Sequence, residues 1–150
     1  MEKIYSKINP DILLHIINRK IDITSQRRDL IPENEHLQVA CFSENKDKQL
    51  KSHRHIEQVR TTGTTQESWI VIEGSIRIRL YDLDDTIIKE DILNRGDCLI
   101  TLRGGHDYTV LEQETTIYEY KTGPYPGKGK DNVSIDKQSK NMDDYKFKEY

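Results

Sequence analysis

From Leu37 to Lys121 the chain alternates short apolar or β-branched runs with turn signals, and no helical period takes hold anywhere in that span. The strand-like runs fall at residues 37–42, 53–56, 69–81, 86–93, 97–102, 108–112 and 116–121. Turn signals punctuate them at Glu73-Gly74, Asp82-Leu83-Asp84-Asp85, Asn94-Arg95-Gly96 and Gly104-Gly105. Strands this short and this evenly spaced have no room for crossover helices. The pattern therefore predicts an all-β sandwich or barrel.

The ends read differently. Residues 1–36 are polar and mixed, and they predict an N-terminal appendage. Its one apolar stretch, Ile12-Leu13-Leu14-His15-Ile16-Ile17, fits either a short helix or an opening strand. Residues 122–150 predict a C-terminal tail. Beyond Gly123-Pro124-Tyr125-Pro126-Gly127 the composition turns to Lys, Asp, Asn and Ser, with too little apolar surface to order itself. Residues 128–150 are thus expected to be mobile unless the cluster of Met142, Tyr145, Phe147 and Tyr150 docks on a partner.

A chain of 150 residues is long enough to bury one core without staples, and too short to favour a second domain. Net charge of −3 and the absence of a basic face argue against nucleic acid as partner. No run approaches the roughly 18 apolar residues of a membrane span, and no apolar leader opens the chain. A cytoplasmic protein is expected, with no membrane partner. Cys41 and Cys98, both in strand-like surroundings, read as buried free thiols rather than a disulfide.

The chemistry-bearing residues concentrate between positions 53 and 106. On a strand, alternate side chains share a face, so His53 and His55 would project together and Arg54 away from them. Glu67 opens the apolar run Trp69-Ile70-Val71-Ile72, where an ionised carboxylate is costly to bury unless it is paired or bound to a cation. His106 follows the Gly104-Gly105 turn. Three imidazoles and a carboxylate suit one divalent transition metal, whether Fe, Mn, Ni, Co or Zn. Ile76-Arg77-Ile78-Arg79-Leu80 alternates strictly, so both arginines share one face. If the aliphatics face the core, that face is a solvated edge; if the arginines face inward, they clamp an anionic group. Arg54 and Arg103 face the same alternatives. Tyr108 and Tyr118 are further candidates for a ligand contact or an acid–base role.

The order His53-Arg54-His55, Glu67, Gly74, then Gly96-Asp97 and Gly104-Gly105-His106 resembles the two motifs of the cupin superfamily. In detail it is similar to small single-domain bacterial cupins, some of which accompany cell-surface polysaccharide genes. Eleven residues separate His55 from Glu67, where that family commonly has three or four, and Leu102 stands where a proline is usual. The extra residues, 57–66, are expected to form a loop at the pocket rim.

The resemblance implies a cupin β-barrel, a double-sheet jelly roll, over residues 37–121. It implies His53, His55, Glu67 and His106 as metal ligands, and a homodimer. The activity expected is a metal-dependent enzyme acting on a small polar metabolite, a sugar or sugar-derived carbonyl compound, by isomerisation or epimerisation. Arg77 and Tyr108 are its candidate catalytic residues. An iron-dependent dioxygenase and a non-catalytic metal- or small-molecule-binding module are the alternatives.

Overall fold

The structure is a computed structural model that describes residues 1–127 and 129–135. The aromatic cluster at 142–150 and most of the expected tail lie outside the described residues. The strands are β1 (Glu2–Tyr5), β2 (Leu13–Asn18), β3 (Arg28–Asp29), β4 (Ala40–Cys41), β5 (Glu67–Glu73), β6 (Ser75–Tyr81), β7 (Ile87–Asn94), β8 (Cys98–Thr101), β9 (His106–Val110) and β10 (Thr116–Lys121). Among the described residues there is no α-helix, only a single 3-10 turn at Lys20–Asp22, and so no helix long and apolar enough to cross a membrane.

The strands pair antiparallel into a five-stranded sheet in the order β1-β2-β8-β5-β10, a three-stranded sheet β7-β6-β9, and a small β3-β4 ribbon. The two larger sheets share one core. Ile4, Ile17, Trp69, Val71 and Leu99 from the five-stranded sheet pack with Ile76, Ile78, Leu80 and Leu93 from the three-stranded one. The five-stranded sheet also buries its opposite face. There Leu13, Ile16, Cys98, Ile100 and Leu102 pack under Leu30 and Ile31, with Leu37, Val39 and Cys41 alongside.

Two-sided burial explains the ambiguous apolar stretch near the N-terminus. All six residues of β2 are buried, so the strand needs apolar side chains on both faces and shows no period of two. Residues 1–36 are therefore not appended to the core: they supply β1 and β2, and β2 lies between β1 and β8. The arrangement also differs from a closed barrel. Among the described residues the sheets remain open, with β1 and β10 at the edges of one and β7 and β9 at the edges of the other.

The alternation in β6 resolves in favour of the aliphatics. Ile76, Ile78 and Leu80 are fully buried, Arg77 is exposed and Arg79 half-buried. The expected run 69–81 is two strands, β5 and β6, reversed at Gly74. That residue holds φ at +74°, and a Cβ on it would collide with Thr115. No strand forms at 53–56, and of the run 37–42 only Ala40–Cys41 pairs. Cys41 and Cys98 are free, and burial pushes the Cys98 thiol up to about 11 against the lowering effect of its Ser68 hydrogen bond.

His15, fully buried in β2, ties three strands together. A backbone carbonyl only accepts, so Nε2 carries the proton and donates to Tyr81 O at 3.2 Å. Nδ1 then accepts from the Thr101 hydroxyl at 3.1 Å. Burial pushes the imidazole down to about 4 from an ordinary 6.5, offset in part by the Tyr81 carbonyl. As pH falls through 6.5 the unfolded chain takes up a proton that the folded chain refuses until about 4, so stability declines across that window and no further below it. The loss attributable to His15 is about 3 kcal/mol. Denaturant unfolding between pH 7.5 and 4 should show this slope. His15→Gln should be less stable at neutral pH yet flatter between 6.5 and 4, and an unchanged slope would refute the assignment.

Candidate functional site

A cavity of about 640 Å³ opens where β5, β6 and β9 meet, at the end of the sandwich. Register decides what reaches it. Glu67, the first residue of β5, lies opposite Thr101 on one side and Lys121 on the other. His106, the first of β9, lies opposite Leu80 at the end of β6. Glu67 and Trp69 share a face of β5, as His106 and Tyr108 share a face of β9. These faces meet: the Trp69 ring stands edge-on to His106 at 4.6 Å and to Tyr108 at 4.9 Å, and Glu67 Oε1 lies 3.3 Å from His106 Nε2.

Burial alone would raise the Glu67 carboxyl. The hydrogen bond and charge of His106, with the charge of Lys121 and a hydrogen bond from Trp69 behind them, more than offset it and hold the group below the usual carboxylate range. His106 Nδ1 is buried with no hydrogen-bond partner, which leaves the pair with an unspent polar atom beside the cavity.

A second cluster stands on the wall built by β6 and β9. Arg79 is paired across the sheet with Asp107, and its Nε donates to Asp107 Oδ1 at 3.0 Å. The Tyr81 hydroxyl donates to Asp107 Oδ2 at 2.7 Å. Burial, then the hydrogen bond and charge of Asp107, push the Tyr81 phenol up to about 12 against the opposing charge of Arg79. The phenol thus stays protonated at any physiological pH. A third wall comes from late in the chain. Asp131 accepts from the Thr65 hydroxyl at 2.7 Å and lies 3.8 Å from Lys121 Nζ, and residues 131–135 line the opening.

Of the four residues expected to hold a metal, the structure brings Glu67 and His106 together and leaves the other two apart. His53 and His55 are exposed on residues 42–66, which form no strand. Their rings lie 5.5 Å apart, and His53 Nδ1 faces Lys51 O at 3.0 Å. Lys51, Ser52, Arg54 and Glu57 around them offer no alternating apolar face with which a strand could pack. Among the described residues no three His, Cys, Asp or Glu side chains gather to hold an ion. His15 is near, but both its ring nitrogens are engaged. Two donors fall short of the three or four protein ligands of a transition-metal site, so the residues as placed do not fit one.

Arg77 and Tyr108 are exposed, and neither lines the cavity. Arg103 is spent on Glu35, with Nη1 donating to Oε1 at 2.7 Å. The expected rim loop contributes Thr64 and Thr65. Gln66 is instead buried and fixed by Leu37 N–H and Thr122. Sequence reasoning passed over Tyr81 and Asp107. The clue available was that Tyr81 shares a strand face with Arg79, while Asp107 follows directly on the Gly-Gly-His turn.

No family model matches the chain, and neither a curated protein nor a solved structure matches it.

Substitutions at the two exposed histidines discriminate between the metal expectation and the observed geometry. His53→Ala and His55→Ala should change unfolding free energy by no more than an ordinary surface substitution does, within about 0.5 kcal/mol. Elemental analysis should show well under one metal per chain before and after either change. One metal per chain, lost on His53→Ala, would show that these residues reach the Glu67–His106 pair. Gly104 makes the opposite prediction. Its φ is +79° and a Cβ would strike Tyr81 O, so Gly104→Ala should cost at least about 1–3 kcal/mol in unfolding free energy.

Proposed function

We propose that the cavity is an active site of isomerase or epimerase type, in which Glu67 and His106 move a proton at a carbon next to the carbonyl of a small polar metabolite. The observation that carries this reading is the Glu67–His106 contact at 3.3 Å on the wall of a 640 Å³ cavity. A carboxylate kept ionised by an imidazole, in a site partly withdrawn from water, is a base. Deprotonating such a carbon sends negative charge to the carbonyl oxygen. The guanidinium of Arg79 supplies positive charge beside that oxygen, and Tyr81, whose single hydroxyl proton is given to Asp107, braces the carboxylate that holds Arg79 in place. Returning the proton from Glu67 to the neighbouring carbon completes an isomerisation, and returning it to the same carbon after the bound intermediate has turned its other face to Glu67 completes an epimerisation, with no net change in protons or electrons.

The volume suits a metabolite of sugar size. The carboxylate opening one strand and the histidine after a Gly-Gly turn support the resemblance to cupins and, with it, a jelly-roll topology and pairing of two chains. No step is assigned to a metal, because only two donors converge.

The test is solvent exchange. Incubated in D2O with a panel of aldoses, ketoses and their derivatives, the protein should introduce deuterium beside the carbonyl of its substrate. Glu67→Gln should lower that rate by about 10²- to 10⁴-fold with the fold retained, and Tyr81→Phe should lower it by a smaller factor. Exchange that survives Glu67→Gln would remove the carboxylate from the chemistry. Saturable binding with no exchange in the unaltered protein would mark a binding module instead.

A further inference from the structure

The cavity is far more acidic than a proton transfer requires. Among the described residues five carboxylates line it, those of Glu67, Asp82, Asp85, Asp107 and Asp131, against the guanidinium of Arg79, with the Lys121 ammonium behind Glu67 and Asp131. Glu90, opposite Arg79 on β7, adds a sixth negative charge that acts on Arg79 and Tyr81. In a cleft with low-dielectric walls such an excess sets the local potential and repels anions. Yet the carboxylates do not form a waiting cation site either. Asp107 is held by Arg79 and Tyr81, Glu67 by His106, Asp131 by Thr65 and Lys121, and Asp82 by Ser6 with the Lys7 and Leu83 amides. Glu67, Asp107 and Asp131 keep unused lone pairs, because an ionised carboxylate offers about four acceptor positions, whereas those of Asp82 are taken by Ser6 and the backbone amides. Between them Leu83, Ile87 and Ile135 present apolar surface.

Walls that accept hydrogen bonds, carry net negative charge and alternate with aliphatic patches match a ligand rich in hydroxyl donors and C–H faces. We infer that the ligand is an uncharged polyhydroxy compound, and that its phosphorylated and carboxylated counterparts are rejected. This rests on the reading of the cavity as an active site and deepens it by naming the charge class of the substrate. Sugar phosphates, nucleotide-linked sugars and uronic acids would bring anionic groups against the wall of carboxylates, where the Arg79 guanidinium is already engaged by Asp107.

Leu83, half-exposed on the cavity rim, allows a test that does not need the natural substrate. Leu83→Cys places a thiol at the opening, and Ser43→Cys, exposed and outside the cavity, serves as control. Both are treated with methanethiosulfonate reagents bearing an ammonium, no charge or a sulfonate, and the background rate of the unaltered protein, with its own Cys41 and Cys98, is subtracted. The ammonium-to-sulfonate rate ratio should be roughly 10-fold or more higher at Leu83→Cys than at the control. A ratio equal to the control's, or lower, overturns the inference.

Protection then separates the ligand classes. A pool of neutral aldoses, ketoses and alditols should slow the uncharged reagent at Leu83→Cys. Protection by pools of sugar phosphates, uronates or amino sugars instead, or by none of the pools, overturns it. Protection by an anionic pool would leave the acid–base reading standing, since that reading fails separately, through exchange that survives Glu67→Gln.

Discussion

Where β6 ends, the Tyr81 backbone is gripped from three directions, and the geometry of both sheets near the cavity follows from that grip. Its N–H donates to Gly105 O at 2.8 Å. Its carbonyl accepts from His15 Nε2, and Gly104 crosses so close over that carbonyl that no side chain fits there. His15 belongs to the five-stranded sheet and Tyr81 to the three-stranded one, so one buried imidazole fixes the spacing of the layers where the cavity opens. A neutral histidine serves where a lysine or a carboxylate would not. It donates on one side and accepts on the other while carrying no charge into the interior. The phenol of Tyr81 is then presented to Asp107 by a backbone that has little freedom to move.

The carboxylates near the ends of the sandwich divide by how fully they are bonded, and the division separates support from chemistry. Asp97 accepts from Arg19, from the Lys20 amide and from the Asn94 amide, so it closes the β7–β8 turn against the loop after β2. Asp82 accepts from Ser6, Lys7 and Leu83 and locks the β1–β2 connection onto the turn after β6. Backbone amides cannot be withdrawn from such groups without breaking the fold, so both are structural anchors. Glu67 is held by side chains, chiefly His106. Exchanging a proton there costs a rearrangement of side chains alone, which is what a group that turns over must allow.

The strands around the cavity were legible in the sequence because their periods are plain. Residues 116–121 pair as read, and the turns at Gly74, Gly96 and Gly104 fall between strands where the glycines stand. Glu67 and His106 were legible as a pair because each opens a strand beside a turn or loop. The fold's first two strands were not legible as core. A strand covered on both faces loses the alternation that identifies strands, and two of the residues that cover it, Leu30 and Ile31, stand in a polar stretch with no strand pattern. Tyr81 and Asp107 escaped for another reason: their partnership depends on β6 lying against β9, a pairing that no local pattern specifies.

The histidines at 53 and 55 show how an argument from alternation depends on an unstated partner. Two residues share a face only if the segment is a strand, and a strand persists only where a neighbour satisfies its amides and carbonyls. β5, the strand that residues 53–56 would have to join in order to set their imidazoles beside Glu67, already has β8 on one side and β10 on the other. No ladder position beside Glu67 is left for a third neighbour, and an eleven-residue approach rich in threonine lacks the apolar side chains to pack over the sheet instead. The side chains at the cavity are therefore those that strand register holds in place. Glu67 stands opposite Thr101, His106 opposite Leu80 and Arg79 opposite Asp107, and the chemistry available to the site is set by those three pairings.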